Sequence, residues 1–425
     1  MNMKNKLSTL ELKWIMYDVG NSAFILLATS IMPIYFNHLA TQAGLSETEY
    51  LSWWSYAASI ATICVAIAGP LMGTLADFDG NKKKIFLGNA LAGAFLLFCF
   101  WIPSHWMAFL ALFIFCKILY SISLVIYDSM LVDVCPEDKM DMVSSKGYAW
   151  GYIGSCIPFI VSLGLMLGYE NLGMGFQTAI LLVFLLNAVW WALFTLPLAF
   201  SYKQKHFVPR KGHATRQTFG RLWKVLKEIG HNRKVLLFMA AFFFYIDGVY
   251  TIIEMATAYG TSLGLDQTGL LLALLLTQVI AFPAAILFGY LAKSYSAGKL
   301  IKVGIFAYFC ISIFALFMYS IWQFWILAAA VGVFQGGIQA LSRSYFARII
   351  PKNQTGEYFG LYDIAGKGAS FLGTLVVGLI TQLTGQQNIA VGTLAFLFLI
   401  GYLIFARANT LPDPVYDENG AHTSN

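Results

Sequence analysis

Charged side chains occur inside several of the long apolar segments of this sequence. Asp18 lies in the first segment, Lys117 and Asp128 in the fourth, and Asp247 and Glu254 in the seventh. A charge near the centre of a bilayer costs about 2.5–3.5 kcal/mol on insertion scales, so such residues mark either function or a buried structural pair. In the functional interpretation, the lysine can hold a carboxylate and the acids can hold an amine or a proton.

Helical spacing places these residues on shared faces. Lys117 and Asp128 are eleven residues apart, which is three turns and about 20°, so about 16 Å separates them on one face. Asp247, Thr251 and Glu254 share a face at i, i+4 and i+7. These faces predict a polar cavity between helices. The tenth segment adds two amides four residues apart: Gln335 and Gln339.

Proton coupling requires a side chain that titrates. No histidine lies within an apolar segment, so a desolvated carboxylate is the expected carrier. The alternative is that the charges pair across the helices and only fix their packing. Asp363 and Lys367 in the eleventh segment are four residues apart, and we interpret them as a neutralised pair within one helix.

The composition indicates an integral membrane protein. Of 425 residues, 59% are hydrophobic and 11% are charged, and the mean hydropathy is +0.69. The apolar runs are about twenty residues or longer, which predicts helices and not the short alternating strands of a barrel. We predict an all-α protein with twelve spans, near residues 13–38, 52–76, 84–102, 106–134, 144–168, 176–200, 234–262, 268–293, 300–320, 322–350, 356–384 and 388–407.

The basic residues alternate between loops. Lys and Arg follow the even-numbered spans up to the tenth and are absent from the loops after the odd-numbered spans, which predicts two cytoplasmic termini. The net charge of +6 therefore reflects membrane topology, and nucleic-acid binding is not expected. We expect a multi-pass protein of a bacterial inner membrane.

The longest polar stretch, residues 201–233, divides the chain into bundles of six spans at 1–200 and 234–410, followed by a polar tail at 411–425. Within this linker apolar residues recur at helical spacing, opposite Arg221, Lys224 and Lys227. The pattern predicts an amphipathic helix on the inner leaflet, and a site for a regulatory partner is the alternative. The apolar residues are Phe219, Leu222, Trp223, Leu226 and Ile229.

A glycine-rich turn follows the second span. Gly73, Asp77, Gly80, Lys82 and Lys83 fall at the spacing G-x-x-x-D-x-x-G-x-[KR]-[KR]. This resembles the loop between helices 2 and 3 of major facilitator superfamily transporters. The resemblance implies two pseudo-symmetric six-helix bundles in which helices 1, 4, 7 and 10 line a central cavity. The elbow lysines are expected to remain in the cytoplasm.

The two halves of the chain are weak repeats of each other. At an offset of 215 residues, Asp128 aligns with Arg343 and Asp133 aligns with Arg348. Opposite charges at equivalent positions predict salt bridges between the bundles. We expect these pairs to close the cytoplasmic side.

Three further stretches are informative: Trp14-x-x-Tyr17-Asp18-x-x-Asn21-Ser22-Ala23-Phe24, Asp247-Gly248-Val249-x-Thr251-Ile252 and Gln339-Ala340-Leu341-Ser342-Arg343-Ser344 with Pro351. They are similar to the vacuole-effluxer branch of the superfamily, whose fungal members export amino acids. The helix 4 arginine common in proton-driven drug antiporters is absent, which disfavours that function. By resemblance, the family-type positions are Asp18, Asn21, Asp247, Thr251, Gln339 and Arg343.

We therefore expect a secondary transporter that works by alternating access and moves a small zwitterion, such as an amino acid, with H⁺. The alternatives are a proton-linked transporter of a drug, sugar or lipid-like molecule, and a non-transporting receptor or scaffold. No enzyme activity, cofactor or metal is expected, because no nucleophile–base set or ligand cluster occurs. We expect a monomer in a lipid bilayer.

The candidate residues form two groups. The substrate or proton site comprises Asp18, Asn21, Lys117, Asp128, Asp247, Thr251, Glu254, Gln335 and Gln339. The gating or structural charges are Asp77, Lys82, Lys83, Asp133, Arg343, Arg348, Asp363 and Lys367.

Overall fold

The structure is a computed structural model that describes residues 6–209, 214–262, 264 and 266–417, except for the side chains of 47, 48, 51, 214–219, 257, 258, 261, 262, 267, 367–372 and 387. The described chain forms helices and no strands. In order they are α1 (Thr9–Thr29), α2 (Ile31–Gln42), α3 (Glu47–Ala76), α4 (Asn81–Phe98), α5 (Trp106–Ser129), α6 (Leu131–Val134), α7 (Met140–Gly168), α8 (Phe176–Ser201), α9 (Ala214–His231), α10 (Arg233–Ser262), α11 (Gln267–Leu291), α12 (Ala297–Leu316), α13 (Ile321–Ile349), α14 (Thr355–Thr384), α15 (Gln387–Gly392) and α16 (Ala395–Thr410).

The helices form two bundles. In the first bundle α1 packs on α7 and α8, and α5 packs on α3 and α4. In the second bundle α10 packs on α14 and α16, and α13 packs on α11 and α12. The bundles meet where α3 contacts α14 and where α7 contacts α11 and α13. The predicted all-α, two-bundle fold is confirmed.

Eleven segments of the described chain are long and apolar enough to span a membrane. The thirty-residue α14 completes the twelve predicted spans. Several predicted bounds were wrong. The first span runs over Thr9–Gln42 and is interrupted at Ser30, and the fourth ends at Ser129 instead of residue 134. The fourth was overextended because apolar residues continue past the helix end into the one-turn α6. The longer first span includes His38, so the expectation that no histidine lies within a span was wrong.

Both described chain ends lie on one face of the protein, which we call the terminal face. Lys139 donates a hydrogen bond to the carbonyl of Lys6, and Lys352 pairs with Glu137 across the bundles at 2.5 Å. The hydroxyl of Tyr416 donates to the backbone carbonyl at the end of α13 at 2.7 Å. The bundles therefore touch on the terminal face.

The bundles approach closely there because glycines face each other. A Cβ atom added to Gly73 of α3 would lie 2.0 Å from the carbonyl oxygen of Gly356 in α14. One turn further along, a Cβ atom on Gly360 would lie 2.5 Å from the Cα atom of Pro70. The absence of side chains at these positions permits backbone contact across the interface.

The predicted amphipathic helix is present as α9, but one predicted orientation was wrong. Arg221 does not lie on a free polar face, because its guanidinium pairs with Glu357 of α14 at 2.7 Å. Among the described side chains of this helix, Val225 and Ile229 are buried, whereas Trp223 is exposed. The side chain of Phe219 lies outside the described residues.

We predict that Gly73→Leu destabilises the state that is closed on the terminal face, because the added side chain overlaps the α14 backbone. The expected loss is about 1–3 kcal/mol, as for overpacking elsewhere, measured by thermal unfolding of the purified protein. Gly88→Leu is the matched control, because nothing lies within 4 Å of its added Cβ atom. Equal melting temperatures for the two variants would contradict this account of the interface.

Candidate functional site

Asp77 joins the two bundles at the glycine contact. Its two carboxylate oxygens accept hydrogen bonds from the backbone N–H groups of Gly356 and Glu357, each at 2.9 Å. These N–H groups belong to the first turn of α14. The N–H groups of a first turn have no acceptor within the helix, and they give this end of the helix a partial positive charge. A carboxylate of the first bundle thus caps a helix of the second, and Asp77 is fully buried.

Lys82 is buried beside Asp77. Its ammonium lies 3.4 Å from Asp77 and donates to the hydroxyl of Thr355 at 2.9 Å. Two carboxylates draw this elbow lysine inward, the second being Asp133 at 4.0 Å. Lys83 is half-buried and joins none of the ion pairs recorded within the described chain.

The predicted pair between Asp133 and Arg348 is wrong. Asp133 lies on α6, where it accepts from the hydroxyl of Tyr202 and from His206, whose Nδ1 is 2.8 Å away. Arg348 instead pairs with Asp141 at the start of α7. Asp133 on α6 is directed to the linker, so it does not face Arg348.

Hydrogen bonds keep Asp133 ionised despite its burial. Desolvation acts to raise its pKa, but hydrogen bonds from His206 and Tyr202 and the charge of Lys82 outweigh it, so the pKa lies below the usual range. The backbone N–H groups of Lys205 and His206 add bonds at 3.2 and 3.0 Å. Asp133 therefore anchors the linker to the first bundle.

Arg343 lies between two carboxylates of the other bundle. Its guanidinium is 2.8 Å from Asp128 and 3.4 Å from Asp18, so the expected pair with Asp128 is confirmed. It also donates to the hydroxyl and carbonyl of Ser144 at 2.9 and 3.1 Å. Only 2% of Arg343 is exposed. The buried arginine thus connects α13 to α1, α5 and α7.

Aromatic rings enclose the guanidinium of Arg343. Its central carbon lies 4.4 Å from the ring centre of Tyr148 and 4.6 Å from that of Trp14. The hydroxyl of Tyr127 donates to Asp18 at 2.7 Å, and its ring stacks on Trp14. Cation–π contacts of this type compensate part of the cost of desolvating the charge.

Asp247 occupies a separate position, between α10 and α14. One carboxylate oxygen accepts from the backbone N–H of Gly373 at 3.0 Å and from the hydroxyl of Thr251 at 3.4 Å. The other oxygen is buried and has no hydrogen-bond partner within the described chain. An unsatisfied buried carboxylate oxygen is costly, so it identifies a position where a proton or ligand can bind.

Lys117 and Glu254 carry opposite charges on different bundles. They belong to α5 and α10, and Lys117 acts electrostatically on the carboxylate of Glu254. Glu254 is exposed and Lys117 is half-buried, although both lie within spans. The two bundles thus place charges of opposite sign within electrostatic range of each other.

The two predicted amides lie on α13. Gln339 accepts a hydrogen bond from the hydroxyl of Tyr152 at 3.0 Å, which is another contact between the bundles. The side-chain oxygen of Gln335 is buried and unpartnered among the described residues. Asn21 donates to Asp18 at 3.4 Å and supports the arginine cluster. The predicted pair of Asp363 with Lys367 involves a side chain outside the described residues.

Sequence reasoning missed several residues of the interface. Glu357, Ser144, Asp141, Tyr127 and Tyr148 all contact predicted charges. Asp141 and Glu357 stand in the first turns of their helices, where acidic residues are common for reasons of capping alone. Their positions in the sequence therefore did not indicate that these two residues contact the other bundle.

The fold and the charged interface define a major facilitator transporter, a class of multi-pass membrane proteins that are not enzymes. The structure resembles the proton:xylose symporter XylE with a TM-score of 0.72 and 13% identity, covering 96% of this chain and 97% of that one. At that identity the likeness shows the fold alone.

The chain belongs to the family described as vacuole effluxer Atg22 like, whose profile matches residues 9–410. It is 41% identical to the uncharacterized MFS-type transporter YxiO of Bacillus subtilis, over 95% of this chain and 96% of that protein. Autophagy-related protein 22 of Kluyveromyces lactis is 28% identical over 64% of this chain and 58% of its own length. The chain thus covers somewhat more than half of that fungal relative.

We predict that Arg343→Met destabilises the protein by about 3–5 kcal/mol, because two buried carboxylates then lose their counter-charge. The measurement is unfolding of the purified variant by heat or denaturant. Adding Asp18→Asn and Asp128→Asn to Arg343→Met removes those charges and should restore part of the loss. No recovery in the triple variant would show that the arginine acts by packing and not by charge.

Proposed function

We propose that this protein is a proton-coupled secondary transporter that moves a small zwitterion, such as an amino acid, by alternating access. The substrate lies between Lys117 and Glu254, and Asp247 carries the proton. The terminal-face contacts of Asp77 and Arg343 close one end of the pathway and break when the other state forms. The observation that carries the proposal is the pair of opposite charges, Lys117 and Glu254, which belong to different bundles and interact electrostatically.

The charges of Lys117 and Glu254 suit a molecule that carries both a carboxylate and an amine. The ammonium of Lys117 can bind a carboxylate, and the carboxylate of Glu254 can bind an amine, each by a charge-assisted hydrogen bond. Because the two residues belong to different bundles, a zwitterion bound to both of them would link the bundles. The unpartnered oxygen of Gln335 offers a further acceptor for an amine.

Asp247 suits a proton better than a permanent ion pair. Its side chain is fully buried, its second oxygen has no partner in the described chain, and Thr251 already donates to the first oxygen. Asp18 and Asp128, in contrast, share a permanent counter-ion in Arg343. We therefore choose Asp247, which has no ion pair among the described residues, as the proton carrier.

The family supports efflux but names no substrate. Its description names a vacuole effluxer, and the fungal relatives are named for autophagy. The Bacillus subtilis relative carries no substrate in its name. The chemistry of Lys117 and Glu254 therefore supplies the substrate class, and the relatives are compatible with it.

We predict that purified protein in liposomes on a solid support gives a transient current with amino acids and none with neutral sugars. Lys117→Met should weaken the apparent affinity for the carboxylate-bearing substrate about tenfold or more, the effect of losing a hydrogen bond to a charged group. Lys117→Arg, which keeps the charge, is the control and should retain most of the affinity. An unchanged affinity in Lys117→Met would assign this residue to packing.

We predict that Asp247→Asn abolishes pH-dependent accumulation of the substrate but retains exchange of labelled for unlabelled substrate at equal concentrations. The amide mimics a protonated carboxyl group, so the carrier can still change conformation but cannot release a proton. Uptake by liposomes with and without a pH gradient measures both activities. Asp79→Asn, at an exposed position of the elbow, is the control.

Uphill uptake by Asp247→Asn that still follows the pH gradient would exclude Asp247 as the carrier. Accumulation that ignores pH in the unaltered protein would exclude proton coupling altogether.

A further inference from the structure

The linker helix α9 contacts both bundles on the terminal face. It packs against α3 of the first bundle and against α10 and α14 of the second. Val225 and Ile229 of α9 are buried, with 2% and 6% exposure. Because α3 and α14 must separate when the terminal face opens, α9 cannot keep both contacts in the open state.

An ion pair fixes α9 at the point where the bundles meet. The guanidinium of Arg221 is 2.7 Å from Glu357, whose side chain is fully buried in the first turn of α14. The same guanidinium lies 5.2 Å from the ring centre of Phe78, the residue after Asp77. Arg221 thus contacts the elbow of one bundle and the helix that Asp77 caps in the other.

The linker segment before α9 is bound to the first bundle. The backbone N–H of Val208 donates to the carbonyl of Asp77 at 2.8 Å. The side chain of Gln204 donates to the carbonyl of Ala76 at 3.1 Å and accepts from the N–H of Lys82 at 3.3 Å. The linker is therefore held on the elbow and reaches across to Glu357.

The outward side of α9 is apolar and basic. Trp223 and Leu226 are 64% and 44% exposed, and they lie beside exposed Lys224 and Lys227. The ammonium of Lys227 lies 6.0 Å from the ring centre of Trp223. Because α9 contacts three spanning helices on the terminal face, it lies near the surface of a bilayer. An exposed tryptophan with flanking lysines matches an anionic membrane surface.

We propose that α9 is a latch that binds anionic lipid and stabilises the state closed on the terminal face. Anionic headgroups bind Lys224 and Lys227 while Trp223 and Leu226 enter the lipid. The helix is then held in the position where Arg221 pairs with Glu357, which favours the closed interface. The proposal requires alternating access but no particular substrate.

The test uses the full-length protein in nanodiscs of phosphatidylcholine alone or mixed with phosphatidylglycerol, analysed by amide hydrogen exchange. We expect anionic lipid to slow exchange in α9 and also in the first turns of α14, by about fivefold, the effect of one lysine at an anionic surface. The double variant K224Q/K227Q should lose both responses. K299Q/K302Q, which removes two lysines from α12, should retain them.

R221Q separates lipid binding from its effect on the bundles. In this variant anionic lipid should still slow exchange in α9 but no longer in α14. R221K keeps the charge and should retain part of the α14 response. The proposal is overturned if neutral and anionic bilayers protect α9 equally, which would assign its outward side to a protein partner, or if R221Q transmits the lipid response to α14 unchanged.

Discussion

A single buried guanidinium, that of Arg343, is the interaction on which the closed arrangement depends. It links a helix of the second bundle to Asp18, Asp128 and Ser144 of the first, inside a ring of aromatic side chains. Desolvation offsets much of the attraction within such a pair, so its net contribution to stability is small even though breaking one partner is expensive. A carrier that must open and close benefits from contacts that are specific without being strong.

The other terminal-face contacts obey the same physical rule. Asp77 uses the partial charge of a helix N-terminus, an interaction worth about 0.3–2 kcal/mol, and Gly73 and Gly356 bring backbones together without interlocking side chains. Each contact can be made and broken as a rigid bundle rocks. The linker extends this closure, because Asp133 anchors it to one bundle and Arg221 reaches the other.

Our proposal assigns the charges to structure or to transport according to their partners. Asp18 and Asp128, equally attractive as proton or substrate ligands from their positions in the sequence, share the charge of Arg343. Asp247 has an oxygen with no partner in the described chain, and Glu254 interacts electrostatically with Lys117. Intramembrane charge alone thus did not separate packing from function, because both uses place the same residue types in the same helices.

The sequence by itself determined the membrane class, the helical spans, the two-bundle fold and the pairing of Asp128 with Arg343, because hydropathy and the internal repeat are one-dimensional signals. Only the tertiary structure decided that Asp133 binds the linker, that Arg348 pairs with Asp141 and that Lys82 is buried. These outcomes depend on where short helices such as α6 turn after a span ends. A turn of a few residues redirects a side chain without altering the hydropathy of the segment.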